Sequence, residues 1–261
     1  MNISLKNSLN QTVVLTGQES NYQVISVTGL DPGKAVINTT TIAGVDGTRF
    51  NSARLNNRNI VIMLKINGDA DTNRQNLYQK FPLKEEVKIT VTTNKTGTIK
   101  GHIDSISCNV FDQKQIMQIS VLCDDPYFYG TDYVKTETWD AENEDPHSLA
   151  VTNSGEVGTG FSLEIDYDGQ FMGIDISNDT GHLNFLFSSA ASIGKFIIDT
   201  VEGTAVMQSN GQTVDILQYL QYGSTFPKLP AGNSSVLITL VEANTTDLTA
   251  KITIPVKFGG M

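Results

Sequence analysis

Apolar and polar residues alternate along most of this 261-residue chain, and that period-two pattern limits the fold more than any other feature. Successive side chains of a β-strand point to opposite faces, so alternation marks strands with one face in a core and one in water. The first half shows it at Ile3 and Leu5, Val13 and Leu15, and Tyr22 and Val24. It recurs at Val87, Ile89 and Val91, and again at Ile99, Gly101 and Ile103. Turn chemistry separates the runs: Gly29-Leu30-Asp31-Pro32-Gly33, Gly44-Val45-Asp46-Gly47 and Asn94-Lys95-Thr96-Gly97. Between the first two turns, residues 35–42 have strand character. Asn59 to Ile66 is a continuous apolar run, which predicts a strand buried on both faces. Phe111-Asp112-Gln113-Lys114-Gln115-Ile116 reads as the tip of a long hairpin that returns through Met117, Ile119, Val121 and Cys123.

One stretch breaks the pattern. Asp69 or Asp71 can cap a helix, Ala70, Arg74, Leu77, Tyr78 and Phe81 follow at helical spacing, and Pro82 ends the element. A chain this long favours two cores over one. Between about 131 and 148 the composition turns acidic and polar, with Asp140, Glu142, Glu144, Asp145 and Pro146. The expected division is therefore a domain at 1–130, a linker at 131–148 and a second domain at 149–261. The second half again supplies short strands, at Leu163 to Tyr167, Gly173 to Ile176, Leu183 to Phe187, Lys195 to Val201, Ala205 to Gln208, Val236 to Val241 and Lys251 to Phe258. Strands at this spacing predict a two-sheet sandwich. The fold class is mainly β, in two domains: an N-terminal β-sandwich-like domain with one short helix and one long β-hairpin, and a C-terminal β-sandwich.

Little in the sequence points to catalysis. His102, His147 and His182 stand in neither HxxxH nor HxH spacing, so a metal site is not expected. No nucleophile elbow, phosphate loop, dinucleotide fingerprint or CxxC occurs, and no cofactor is implied. Cys108 and Cys123 fall on neighbouring predicted strands and read as reduced, buried thiols. Asp124 and Asp125 end a strand, and Glu142, Glu144 and Asp145 crowd the linker; such runs are solvated acids rather than a glycosidase pair. With a formal net charge of −10 and Arg49, Arg54 and Arg58 only scattered, DNA is not expected as a ligand. No apolar run approaches the ~20 residues of a membrane span, and no signal peptide is visible at Met1. Trp139, the single tryptophan, can be read as a platform for stacking a saccharide or as a packing residue where the linker meets the second domain; the packing role is favoured. Tyr127, Phe128 and Tyr129 read as a plug near the same boundary.

The succession Gly29-Leu-Asp-Pro, Gly44-Val-Asp-Gly47 and Asn51-Ser-Ala-Arg54-Leu-Asn-Asn-Arg58-Asn-Ile-Val resembles the distal tail protein family of long-tailed phages that infect Gram-positive bacteria. So do Asn73-Arg74-Gln-Asn-Leu77-Tyr78-Gln-Lys-Phe81 and the closing Cys123-Asp-Asp-Pro126-Tyr127-Phe128-Tyr129. The second half resembles the family more loosely, through Asn153-Ser-Gly155, Phe196-Ile-Ile-Asp199 and Phe226-Pro227-Lys-Leu-Pro230. The resemblance implies a structural virion protein, made in the host cytoplasm and located in the virion tail. Its N-terminal domains are expected to close into a homohexameric ring, single or paired back to back. Its C-terminal domain is expected to be a galectin-like β-sandwich. The implied partners are the tail tube protein, the tail-associated tip protein and, in many phages, a receptor-binding protein, with DNA only passing through an acidic or neutral channel. Within this picture the tip residues Phe111, Asp112, Gln113, Lys114 and Gln115 are the candidate contact between copies. The alternative is a cell-wall carbohydrate-binding module with Trp139 as its platform.

Overall fold

The structure, a computed structural model, describes residues 1–18, 20–112, 114–141, 145–191, 194–209 and 211–261, without the side chains of 188–191 and 244–246. It divides into two units, Met1–Gly130 with Phe258–Met261, and Thr131–Lys257. Strands dominate both.

The first unit contains β1 (Asn2–Asn7), β2 (Thr12–Val14), β3 (Tyr22–Thr28), β4 (Ala35–Thr41), β5 (Thr48–Leu55) and β6 (Arg58–Ile66), then α1 (Ala70–Lys80). β7 (Glu86–Thr92), β8 (Thr96–Cys108), β9 (Ile116–Cys123) and β10 (Phe128–Tyr129) complete it. The main sheet is antiparallel in the order β2-β1-β7-β8-β9-β6-β3. Its inward side chains, among them Leu5, Ile62, Leu64, Ile89, Ile119 and Val121, are fully buried in one core. Leu77 and Phe81 of the helical segment close that core from the side.

The helix forms where its spacing placed it. Asp69 caps it, its carboxylate accepting from the Thr72 amide and hydroxyl. β6 departs from expectation. Its burial alternates, with Ile60, Ile62, Leu64 and Ile66 inside and Asn59 exposed, because the sheet's other face has no cover there. The apolar Val61 and Met63 sit half-buried on that open face.

The second unit contains β11 (Tyr133–Asp140), β12 (His147–Asn153), β13 (Ser162–Asn178), β14 (Gly181–Ala191), β15 (Gly194–Asp199), β16 (Thr204–Ser209) and β17 (Gln212–Asp215). A 3-10 turn at Leu217–Tyr219, β18 (Gly232–Val241) and β19 (Asn244–Ile254) follow, and the chain leaves through β20 (Lys257–Phe258). β13 runs through both layers. Its first part lies between β19 and β15 in the order β11-β19-β13-β15-β16-β17, and its second part pairs with β14 and β18. Bulges at Tyr167/Gly169 and Phe171/Gly173 turn it from one layer to the other. The two stretches expected as separate strands, Leu163 to Tyr167 and Gly173 to Ile176, are therefore one strand. Phe171, Phe185, Phe196 and Ile238 pack between the layers.

The segment expected as a linker at 131–148 is instead structure. β11 pairs with β19 along its whole length, from Tyr133↔Ile254 to Asp140↔Asp247. Its polar residues face water while Trp139 and Ala141 enter the core, so the segment mimics a linker in composition. The acids Glu142 and Glu144 lie outside the described residues.

Candidate functional site

Several strongly exposed apolar residues sit on two hairpins of the first unit. β4 and β5 pair only with each other, from Ala35↔Leu55 to Thr41↔Thr48, and join no other sheet. Their polar side chains lace the ribbon together: Asn38 Nδ2 donates to Ser52 Oγ at 3.0 Å, and Asn51 Nδ2 to Thr40 Oγ1 at 2.6 Å. Nearly every side chain of the two strands is exposed. Ile37 is 61% exposed, Val45 62% and Phe50 62%. A two-stranded ribbon is at best marginal in water by itself, and apolar side chains open on both faces add to the deficit. Lys34, Arg49 and Arg54 outnumber Asp46 along this arm.

The arm is held at its root. Gly29, at φ +86°, lies so close to β6 that a Cβ there would meet the Asn59 carbonyl oxygen at 2.2 Å; only glycine fits. Beside it the Arg58 guanidinium is buried and donates to four backbone carbonyls. Nε reaches Pro126 O at 2.7 Å, Nη1 reaches Gly29 O and Asp31 O at 2.7 Å each, and Nη2 reaches Gly259 O at 2.6 Å. Its Cζ lies 5.0 Å from the centre of the Phe128 ring. Burial pulls the Arg58 pKa down, opposed by nearby Cys123 and Asp31. Guanidinium stays charged at any ordinary pH. Arg58, read from the sequence as one of three scattered cations, thus ties the arm root, the turn after β9 and the segment Phe258–Met261 into one body. A buried arginine after a glycine-rich turn was the available signal.

The second projection is the tip between β8 and β9. Phe111 is 95% exposed. Beside it the Phe111 amide donates to Asn109 Oδ1 at 3.2 Å, and Asn109 Nδ2 to Asp112 Oδ2 at 2.9 Å. Of the five residues singled out here, Phe111, Asp112 and Lys114 are exposed. Gln115 is not. It is 9% exposed, its Oε1 accepts from Arg74 Nη1 at 2.7 Å, and Arg74 pairs with Asp71 at 2.8 Å, so Gln115 braces the tip against α1 from inside. Gln113 lies outside the described residues.

Trp139 does not offer a platform. It is 5% exposed and stacks on the His147 ring at 4.2 Å and 7°, so both faces are spoken for by protein. Burying the indole removes a large apolar area from water. His147 also meets Glu137 at 3.2 Å, whose carboxyl is held below its ordinary range by Lys135 first and His147 after. His102 contacts the Lys84 carbonyl, and His182 contacts Asp175 on an open sheet face. Cys108 and Cys123 are free thiols; Cys123 is buried, which pushes it up to about 11, whereas Cys108, expected to be buried, is only partly so because it ends β8 beside the exposed tip. Among the described residues no three His, Cys, Asp or Glu side chains converge as a metal site requires, and no helix is long and apolar enough to cross a membrane.

Charge is divided unevenly. The first unit carries 13 Lys and Arg against 11 Asp and Glu, a net +2; the second carries 5 Lys and no Arg against 17 acids, a net −12.

These features define a two-unit antiparallel β protein whose first unit carries exposed apolar residues on two hairpins. No protein-family model matches the sequence, and no curated protein does. Among solved structures, the chain matches SPP1 Dit, described as a paradigm of the hub adsorption apparatus of phages infecting Gram-positive bacteria. The match has a TM-score of 0.69 at 19% identity, over 98% of this chain and 99% of that one. A chain of the phage P2 baseplate in its calcium-activated conformation overlaps more loosely, with a TM-score of 0.47 at 8% identity over 100% and 99%. The fold is that of SPP1 Dit over nearly the whole length of both chains.

Proposed function

We propose that this chain is a structural component of a long phage tail, in which copies close into a hexameric ring that joins the tail tube to the proteins of the tip. One observation carries the reading: the β4–β5 arm leaves its body, pairs with no other strand, and exposes Ile37, Val45 and Phe50. A ring is built from a heterologous interface, in which one patch meets a different patch on the next copy. An arm with two unpaired strand edges supplies such a patch, and a neighbouring copy supplies the missing cover. Phe111 at the second tip offers a further anchor of the kind interfaces use. The likeness to SPP1 Dit across both units supports the same role. The protein acts by assembly and turns over no substrate. The buried position of Trp139 removes the residue on which the carbohydrate-module alternative rested.

Light scattering and native mass measurement on the purified full chain test the proposal. A single discrete oligomer is expected, with the paired change Ile37→Ser and Phe50→Ser giving a folded monomer. Deleting residues 111–115 is expected to weaken the ring without unfolding the chain. A wild-type chain that stays monomeric at high concentration, or a double variant that still forms the ring, would overturn the reading.

A further inference from the structure

On the open face of the first unit's sheet, three lysines stand side by side. Lys6 of β1 is the register partner of Lys88 of β7, and Lys88 is the register partner of Lys100 of β8. Opposed residues on neighbouring strands have Cβ atoms about 5 Å apart, so the three lysine side chains spring from a line about 10 Å long. Like charges placed directly opposite weaken a sheet. Among the described residues the ion pairs form elsewhere, on Arg74, Lys135, Lys195 and Lys251, and none relieves this row. The flanking register pair is Glu86 and His102.

A second observation coincides with the row. Lys88 and Lys100 line a cleft of about 440 Å³ whose other walls include Thr98, Tyr127, Tyr129 and Asp125. Two aromatic rings and one carboxylate thus line the cleft with two lysines that form no ion pair among the described residues. Asp125 is already engaged, accepting from the Tyr127 amide at 3.0 Å and from Tyr129 Oη at 2.5 Å. Tyr127, Phe128 and Tyr129 split accordingly: Phe128 is buried under Arg58, while the two tyrosines remain half-exposed in the cleft wall.

We propose that this cleft binds a phosphate ester with a hydroxylated body, the phosphate lying against Lys88 and Lys100 with Lys6 behind, and the body against Tyr127 and Tyr129. A phosphate monoester brings close to two negative charges and several acceptor oxygens, more than one carboxylate supplies to a row of three cations. Tyrosine faces pack against the C–H faces of a sugar or polyol, as they do against other apolar surface. Asp125 sets the selectivity. Its carboxylate repels a second phosphate and accepts from hydroxyls, which favours a polyol body over a diphosphate.

The test is calorimetric titration of the full chain at low ionic strength with glycerol 3-phosphate, inorganic phosphate and glycerol as probes. Glycerol 3-phosphate is expected to bind saturably, inorganic phosphate more weakly, and glycerol not at all. Lys88→Gln and Lys100→Gln are each expected to weaken the ester about tenfold, and Lys88→Arg to retain it. The glutamine variants should also unfold at higher urea than the wild type, since each removes like-charge repulsion; that gain separates a lost site from a damaged fold. No saturable heat with the ester, inorganic phosphate binding as well as the ester, or unchanged affinity in both glutamine variants overturns the proposal.

Discussion

Arg58→Met gives the sharpest test of how the first unit is built. The substitution keeps an unbranched side chain of similar length but removes every donor, leaving the carbonyls of Gly29, Asp31, Pro126 and Gly259 facing an apolar group. Hydrogen bonds to a charged donor contribute roughly 1.5–3 kcal/mol each, but the buried cation's own desolvation offsets part of that sum. Removing one side of a buried charged network costs about 3–5 kcal/mol net, and that is the expected loss. The first unit has 134 residues, 130 and 4 in its two segments. At about 2.1 cal/mol/K per residue, its unfolding entropy is roughly 0.28 kcal/mol/K, so the loss lowers its midpoint by about 10–18 °C.

The chain carries its own reporter for the comparison. Trp139 is the only tryptophan and lies buried in the second unit, so its fluorescence follows that unit, while far-ultraviolet circular dichroism follows strands in both. In Arg58→Met, the dichroism should show an early transition that the fluorescence does not share. Arg58→Lys, with one ammonium in place of a fork of donors, should fall about midway. A midpoint shift under about 3 °C, which corresponds to less than 1 kcal/mol here, would refute the idea that this guanidinium holds the three segments together.

Gly29→Ala should destabilise the first unit by about 2–4 kcal/mol, read as a lower urea midpoint, because positive φ and the 2.2 Å approach to Asn59 O both oppose a Cβ. Glu164 should shape the acid limb of stability. Hydrogen bonds from Lys195 and Lys251 hold its folded pKa below 4.5, so its contribution is fully present above 4.5 and is lost as pH falls through the lowered value. Urea midpoints taken downward from pH 4.5 should fall less steeply in Glu164→Gln than in the wild type. Ring formation should strengthen as salt is raised from low ionic strength to about 0.15 M, since copies of net charge −10 repel one another and a Debye length near 8 Å screens them. Scattering intensity that falls over that range would mean that the arm cations, not apolar cover, hold the copies together.

The fold was legible wherever a strand buries one face, because alternation is then a direct image of the core. Ile3, Leu5, Val87, Ile89 and Val91 were assigned to one face and are buried there. The capped helix was equally plain, from Asp69 to the proline at 82. Legibility failed where composition and environment part company. β11 carries alternating polar residues over a single buried tryptophan and so passed for a linker, although its backbone hydrogen bonds to β19 are complete in register. Burial on both faces of β6 was misjudged because an apolar run is the same whether the far face is covered or open. Of the candidate contact residues, Phe111 was correctly read as a tip, but the inward turn of Gln115 depends on Arg74 and Asp71 of α1, which are 41 and 44 positions away in sequence. The arm escaped because β5, Thr-Arg-Phe-Asn-Ser-Ala-Arg-Leu, has no buried side to set an alternation.

That last failure is informative about the arm itself. A strand pair with both faces open has no reason within its own chain to be either apolar or ordered, yet this one exposes Ile37 and Phe50 and is pinned at its root by Arg58 and Gly29. Local rules of folding are broken where another requirement acts, and the break is tolerated when the surrounding structure over-determines it. Here the over-determination is all at the root: four carbonyls on one guanidinium, and one glycine against a strand. Rigid at its base and uncovered along its length, the arm is pre-organised, and a partner that captures it orders few further residues. Interfaces gain affinity chiefly by reducing that ordering cost. Loosening the root should therefore weaken assembly even though Arg58 is itself buried, and the same Arg58→Met variant, held well below its lowered midpoint, should form fewer rings than the wild type at equal concentration.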